Sequence, residues 1–112
     1  MVAKTKISFV VPHNLKAELH ERIIKDGYGL RGKSRWISEA VEELLKYKKF
    51  FDLISYGDEM SGFDKTETVV IENSLKIKLE EAIIAVRGKF PMLEGVKSRI
   101  LRTAILQRVL RS

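Results

Sequence analysis

The sequence contains no cysteine and only two prolines among its 112 residues. The lack of cysteine excludes disulfide bonds, thiolate metal sites and cysteine catalysis, and it is typical of proteins in a reducing compartment. No apolar run approaches the roughly 20 residues that a membrane-spanning helix requires, and no signal-peptide pattern precedes the first apolar segment. We therefore expect a cytoplasmic protein with one hydrophobic core and no membrane partner.

Positive charge is concentrated in the first and last parts of the chain. Residues 1–56 hold 11 basic and 7 acidic side chains, whereas residues 57–86 hold 3 and 7, and residues 87–112 hold 7 and 1. These segments carry net charges of +4, −4 and +6, which give the chain its net charge of +6. Such an uneven distribution favours a polyanionic partner, although a surplus of lysine and arginine is also found on ordinary solvated surfaces.

A short alternating segment followed by an amphipathic helix occurs twice. In residues 6–12 the side chains alternate between polar and apolar, which predicts a strand with one buried face, and residues 66–72 repeat the pattern. A lone strand cannot satisfy its own backbone donors and acceptors. Because the rest of the chain has helical periodicity, we expect the two strands to pair with each other.

Four helices are predicted around these strands. The first runs from His13 to about Asp26, and the second runs from Arg35 to about Tyr56 behind Ser34, a residue type favoured at the N-cap. The third follows the second strand and ends within residues 87–91, and the fourth begins at Ser98. Residues 57–64 are acidic and contain two glycines, which predicts a linker.

The two halves align with each other along most of their length. Leu15 corresponds to Leu75 at an offset of 60, and the segment KSRWISEAV (residues 33–41) corresponds to KSRILRTAI (residues 97–105) at an offset of 64. The order of elements and these two helix entries resemble the ribbon-helix-helix (MetJ/Arc-type) family of DNA-binding transcriptional regulators. The resemblance is to tandem members of the kind found in archaea and archaeal viruses, and it covers nearly the whole chain.

The resemblance implies a mainly α fold with a two-stranded antiparallel β-ribbon. Two ribbon-helix-helix repeats, residues 4–56 and 65–112 joined by the linker 57–64, would form an intramolecular pseudo-dimer, so that residues 1–112 make one domain. The expected partner is double-stranded DNA, with two or more chains associating on a longer operator, and the function is sequence-specific regulation of transcription. We expect no cofactor, no metal and no small-molecule substrate.

A β-ribbon fits the DNA major groove, where base edges distinguish all four base pairs. Period-two alternation directs Ile7, Phe9 and Val11 towards the core, so the outward residues expected to contact bases are Lys6, Ser8, Val10, Thr66, Thr68 and Val70. The alternative is that a half-exposed strand simply favours such residues. Two valines stand where the family usually has polar side chains, and Glu67 falls at a core-facing position. The outward sets differ between the strands, so a perfectly palindromic half-site is not required.

The entries to the second helix of each repeat can bind phosphates. A helix N-terminus offers unpaired amide groups and the positive end of the helix dipole. The residues expected to contact DNA phosphates are Lys4, Gly32, Lys33, Ser34, Lys97 and Ser98. The alternative role for the two serines is ordinary helix capping, and the two roles are compatible.

Other features suggest chemistry that the context does not favour. Residues 27–34 satisfy the nucleotide-binding string G-x-x-x-x-G-K-S, but that motif must follow a buried strand and here it follows a predicted helix. His13 and His20 lack the partners of a metal site. Trp36 lies on the apolar face of its helix, so we expect it in the core and not as a platform for base stacking. Residues 39, 42 and 43 form a glutamate cluster whose spacing is that of a solvated helix face. We therefore do not expect an enzyme.

Two other functional hypotheses remain open. The family also includes antitoxins, and the predicted helix through Phe50, Phe51 and Ile54 is the surplus surface that could bind a protein partner. A protein that coats DNA without sequence preference is the second alternative, and the ratio of specific to non-specific affinity at fixed salt distinguishes it from a regulator.

Overall fold

The structure, a computed structural model, describes residues 3–29, 31–47, 49–56 and 65–111, with backbone only at residues 55 and 56. It is mainly helical with one two-stranded sheet. The predicted linker 57–64 lies outside the described residues. In chain order the elements are β1 (Lys4–Val11), α1 (His13–Lys25), α2 (Lys33–Lys46), α3 (Phe50–Tyr56), β2 (Lys65–Glu72), α4 (Asn73–Lys89) and α5 (Val96–Leu110).

The two strands pair in antiparallel orientation to form the β-ribbon, as the sequence predicts. The register joins Lys4 to Glu72 and Val11 to Lys65, and Ser8 lies opposite Thr68. The predicted faces are also confirmed, because Phe9 and Val11 are buried and Ile7 is half-buried. The outward side chains are exposed except for the partly exposed Thr68.

The inner face of the ribbon packs on a core formed by the helices. Helices α2 and α5 pack against each other in its centre and supply Trp36, Ile37, Ala40, Val41, Leu44, Ile100, Leu101, Ala104 and Ile105. The predicted apolar faces of α1 and α4 complete the core with Leu15, Leu19, Ile23, Leu75, Leu79 and Val86. Trp36 is fully buried and its indole Nε1 donates a hydrogen bond to Asp26 Oδ2 at 2.8 Å, so the expectation of a core tryptophan is confirmed.

The prediction of one helix from Arg35 to Tyr56 is wrong, since the segment forms two helices. Tyr47 adopts an extended backbone conformation (φ −78°, ψ 124°) that ends α2, and α3 begins at Phe50. A continuous helix would carry Ile54 about 15 Å along the axis beyond Leu44. The break instead buries Ile54 completely, and its carbonyl accepts a hydrogen bond from Arg99 Nη1 of α5 at 3.2 Å.

The prediction that Ser34 caps α2, and that α5 begins at Ser98, is also wrong. Helix α2 begins at Lys33 and α5 at Val96, and neither has a side-chain cap hydrogen bond. The Oγ of Ser34 accepts a hydrogen bond from the backbone N–H of Val70 at 3.0 Å, and the Oγ of Ser98 accepts one from the N–H of Val10 at 3.3 Å. Each serine therefore joins the first turn of a helix to an outer edge of the ribbon, where the strand amide would otherwise lack an acceptor.

Within the described part of the chain, no helix is long and apolar enough to cross a membrane.

Candidate nucleic-acid interface

The outer face of the ribbon carries the six residues predicted to contact bases. Lys6 lies opposite Val70, Val10 lies opposite Thr66, and the hydroxyl groups of the central Ser8–Thr68 pair are 3.4 Å apart. Val10 and Val70 each expose 41% of their surface, a large fraction for an apolar residue on a strand. These six residues therefore offer one ammonium group, three hydroxyl groups and two valine side chains within one narrow ladder. Ammonium and hydroxyl groups can bond base edges, and methyl groups can pack against thymine.

Helix N-termini flank this face on both sides. Helix α2 begins beside Val70 and α5 begins beside Val10, as the two serine hydrogen bonds show. The first backbone amides of a helix lack intrahelical acceptors and lie at the positive end of its dipole. Ser34 and Ser98 thus lie in the first turns of these helices at the two sides of the ribbon, with the backbone of Gly32 immediately before α2.

Lys4 lies close to the α2 entry. It begins β1 opposite Glu72, and it lines a surface groove together with Ser34 and Val70. Lys4, a predicted phosphate contact, is therefore brought together with Ser34 at one side of the ribbon. On the other side Lys97 is exposed in the first turn of α5.

Lys33 is arranged differently, because it contacts a buried carboxylate. Glu67 exposes only 3% of its side chain on the inner face of the ribbon, and Lys33 Nζ donates a hydrogen bond to its Oε1 at 2.6 Å. His20 Nε2 lies 3.0 Å from Glu67 Oε2, and Lys16 Nζ lies 3.9 Å from the same oxygen. The sequence places Glu67 at a core-facing position, but it does not show that Lys33 and His20 bind it.

The environment of Glu67 holds its carboxylate in the charged form. Burial by itself raises the pKa of Glu67, but hydrogen bonds from Lys33, His20 and the backbone N–H of Thr68 outweigh that cost and bring the pKa below its ordinary value. At the position 60 residues earlier, β1 has Ile7. The inner faces of the two strands therefore differ in charge, because β2 has the carboxylate of Glu67 where β1 has the apolar Ile7. Lys33 of α2 is paired with that carboxylate.

Two arginines near the interface were not among the predicted site residues. Arg102 Nη1 donates a hydrogen bond to the carbonyl of Val10 at 3.1 Å, one helical turn after Ser98. Arg35 lies in the first turn of α2 with 76% of its side chain exposed, whereas the matching Arg99 of α5 is 5% exposed and bonded to α3. Arg35 and Arg99 both stand in the repeated K-S-R string, but only the position of α3 separates the exposed residue from the buried one.

The glutamate cluster of α2 is only partly the solvated face that its spacing predicts. Glu42 and Glu43 are exposed, but Glu39 is half-buried between Tyr28 and Arg108. The hydrogen bond from the Tyr28 hydroxyl is the largest cause that lowers the pKa of Glu39, and the Arg108 guanidinium lowers it further. The pKa of this carboxyl therefore lies below its ordinary value, although desolvation raises it. Glu39 is thus held as an ionised structural partner.

The remaining candidate motifs lie away from the ribbon face or have structural partners. The G-x-x-x-x-G-K-S string follows α1, and its Gly27 and Gly29 adopt positive φ values of 82° and 73° in the turn before α2. Its lysine, Lys33, binds Glu67 as described above. Among the residues that the structure describes, no group of three or more histidine, aspartate or glutamate side chains could hold a metal ion.

No protein-family model, curated protein or solved structure matches this chain.

Proposed function

We propose that this protein is a sequence-specific DNA-binding regulator of transcription built from two ribbon-helix-helix repeats in one chain. Supporting the repeat, Ser8 and Thr68 are 60 positions apart and lie directly opposite each other, which is expected of equivalent residues on a two-fold axis. The Val10–Ser98 and Val70–Ser34 hydrogen bonds are also equivalent under the offsets of 60 and 64. In this proposal the two repeats form one pseudo-dimeric domain.

The observation that carries the proposal is the exposed outer face of the ribbon between two helix N-termini. Paired strands lie about 4.8 Å apart, so a ribbon of two strands enters a major groove about 12 Å wide. The phosphate backbones on either side of that groove then lie towards α2 and α5. Free amide groups there, together with Lys4 and Lys97, would bind phosphates, and the ribbon side chains would contact the bases.

The proposed partner is therefore double-stranded DNA, and the proposed role is non-enzymatic. One ribbon covers only a short site, so a longer operator requires two or more chains side by side. This function is exercised in the cytoplasm, or in the host cytoplasm if the protein is viral.

The test begins with a genome-wide binding selection followed by footprinting, which defines the operator and its spacing. Lys6→Ala and Thr68→Ala are then compared with the wild type on that operator and on random DNA at fixed salt. We expect each variant to weaken specific binding by about 1–3 kcal/mol, because each removes a base-contacting group. Lys46→Ala, at the C-terminal end of α2, removes a positive charge far from the ribbon and is the matched control.

An equal loss of affinity on operator and random DNA would contradict the base-contacting role of Lys6 and Thr68. A specificity ratio near one for the wild type would instead favour the hypothesis of unspecific DNA coating.

A protein-binding role is the second candidate, and it is favoured by a separate surface. A groove of about 390 Å³ between α2, α3 and α4 is lined by apolar and by charged side chains. The apolar ones are Leu45, Phe50, Phe51, Ala82 and Ala85, and the charged ones are Glu42, Lys46, Lys78 and Glu81. Phe50 and Phe51 stack with their ring centroids 4.3 Å apart and remain only half-buried. Ile54 is buried in the core and is not part of that surface. Co-purification of a stoichiometric partner that is lost in Phe50→Ser, while operator binding persists, would support this role.

A further inference from the structure

The first turns of α2 and α5, here called the α2 entry and the α5 entry, carry the same K-S-R string but expose different cations. At the α2 entry Lys33 is half-buried against Glu67, whereas the side chain of Arg35 is 76% exposed. At the α5 entry Lys97 is exposed, whereas Arg99 is buried and bonded to α3. One basic side chain of each string is therefore withdrawn from the surface, and the two stand at different positions in the string.

Glu67 is the residue that withdraws Lys33. Its carboxylate is almost completely buried on the inner face of the ribbon, and it accepts a hydrogen bond from Lys33 Nζ at 2.6 Å. His20 and Lys16 of α1 lie 3.0 and 3.9 Å from its other oxygen. Three side chains from two helices thus converge on this one carboxylate.

The α5 side of the ribbon has different residues at the positions of this cluster. The position on β1 that corresponds to Glu67 is Ile7, which has no carboxylate to bind Lys97. The two α1 residues that contact the carboxylate correspond, at the offset of 60, to Lys76 and Glu80 of α4, and these pair with each other at 3.6 Å. The contacts that withdraw the lysine at the α2 entry therefore have no equivalent among these residues.

Lys33 stands beside the outer edge of the ribbon, but its charge lies underneath. It directly precedes Ser34, whose Oγ accepts the N–H of Val70 at the edge of β2, so its backbone lies where a DNA phosphate is expected. Its ammonium group is bonded instead to Glu67 on the inner face. Taking Lys33 away from a buried carboxylate is destabilising, because that charge loses its closest partner, and an ion pair with a solvated phosphate offers less in exchange.

Arg35, in contrast, has a partner that it can exchange. Its Nε donates to Glu39 at 3.2 Å in an exposed pair within α2, and such pairs contribute little to stability. Glu39 has a second cationic partner in Arg108. Arg35 also lines the surface groove at the side of the ribbon that contains Lys4 and Ser34. A turn of its guanidinium towards a phosphate there leaves no buried charge without a partner.

From these contacts we propose that Glu67 is a positioning residue that holds Lys33 away from DNA, and that Arg35 supplies the side-chain phosphate contact of the α2 entry in its place. At the α5 entry that contact comes from Lys97. The two sides of the ribbon hold the DNA backbone with unlike groups, because a guanidinium bonds phosphate in a planar fork and an ammonium group acts as a point charge. The inference rests on the DNA binding proposed above.

The test measures the affinity of the full chain for random duplex DNA over a series of salt concentrations. The slope of log affinity against log salt becomes shallower by about 0.9 for each phosphate contact that is lost. We expect this loss in Arg35→Gln and in Lys97→Gln, whereas Lys33→Gln should keep the slope of the wild type. Lys46→Gln, at the far end of α2, is the control for the loss of one positive charge. Circular dichroism shows that each variant is folded.

Glu67→Ile gives β2 the residue that β1 has and releases Lys33. We expect the slope to steepen by about 0.9, and the double variant Glu67→Ile/Lys33→Gln to return it to the wild-type value. The double variant is required because the loss of a negative charge raises the affinity for DNA by itself.

A slope that falls as far in Lys33→Gln as in Lys97→Gln would overturn the proposal, and so would an unchanged slope in Arg35→Gln. A steeper slope that persists in the double variant would also overturn it. The comparison of Lys33→Gln with Lys97→Gln decides the matter even if Glu67→Ile does not fold. A wild type that does not bind DNA would contradict the DNA proposal and this inference with it, whereas the other outcomes contradict this inference alone.

Discussion

Glu67 offers the sharpest test of how the ribbon is attached to the helices beneath it. Glu67→Gln removes the charge that Lys33 and His20 contact but keeps the shape of the side chain. A hydrogen bond to a charged group contributes about 1.5–3 kcal/mol when buried, but Lys33 is 32% exposed and the His20 side chain is 51% exposed, so solvent weakens both contacts. We expect Glu67→Gln to lower the free energy of unfolding by about 1–2 kcal/mol, which lowers the Tm by roughly 4–16 °C.

Two apolar replacements of different size separate the stability lost with the ion pairs from the stability lost by leaving a cavity. Glu67→Ala should destabilise the protein by about 2–3 kcal/mol, because it removes the hydrogen bonds and leaves a cavity under the ribbon. Glu67→Ile should be close to neutral, because β1 already has Ile7 at the equivalent position and apolar residues often replace buried ion pairs without loss. Thermal unfolding followed by circular dichroism measures all three variants, with Glu80→Gln as the exposed glutamate control.

The same contacts predict a dependence on pH. The pKa of Glu67 is lower in the folded protein than its unfolded value of 4.5, so its contribution to stability is fully present above about pH 4.5 and is lost as the pH falls through the folded pKa. The difference in stability between wild type and Glu67→Gln should therefore shrink between pH 7 and about pH 3. A difference that stays constant over this range, or Glu67→Ile as unstable as Glu67→Ala, would refute this account of the ion pairs.

Two further predictions concern contacts that join distant elements. Arg108 donates to the carbonyl of Trp36 at 2.7 Å and lies over the Trp36 and Tyr28 rings. We expect Arg108→Ala to lower the free energy of unfolding in urea by about 2–3 kcal/mol. The control Arg111→Ala, at the exposed end of α5, should lower it by less than about 1 kcal/mol. Ser98→Ala removes the acceptor of the Val10 amide and should cost about 1 kcal/mol, with faster hydrogen exchange at that amide as the specific readout. An Arg108→Ala variant as stable as the wild type would contradict the role of the Arg108 contacts. Unchanged exchange at the Val10 amide in Ser98→Ala would contradict the role of the Ser98 contact.

The sequence predicts the strand pairing and the faces of most elements because these depend on local periodicity. Phe9 and Val11 are buried and Lys6 and Ser8 are exposed as a period of two requires, and the cores of α1 and α4 follow a helical period. The break at Tyr47 was not predictable from this signal, because the apolar stripe continues through residues 51 and 54. The burial of Ile54 and the hydrogen bond that its carbonyl accepts from Arg99 of α5 favour two helices over one.

The positions of the candidate site residues on the ribbon were predictable, but the contacts that these residues make with other elements were not. The six outward positions on the ribbon follow from parity, and the structure exposes five of them fully and Thr68 in part. The contact of Lys33 with Glu67 joins residues 34 positions apart, and the bonds from the serines to the strand edges span 36 and 88 positions. Such contacts depend on how the elements pack, which no local pattern in the chain specifies.

The pairing of β1 with β2 also determines how this protein must fold. At its central pair, Ser8 opposite Thr68, the pairing spans 60 positions, whereas the helices close through contacts three and four residues apart. Bringing distant segments together requires chain entropy to be lost before the contacts form, so the ribbon should form late and limit the folding rate. Because both strands belong to one chain, this step is unimolecular. The outer face that is proposed to contact DNA should therefore remain assembled at any dilution, without the mass-action loss of a ribbon built from two separate chains.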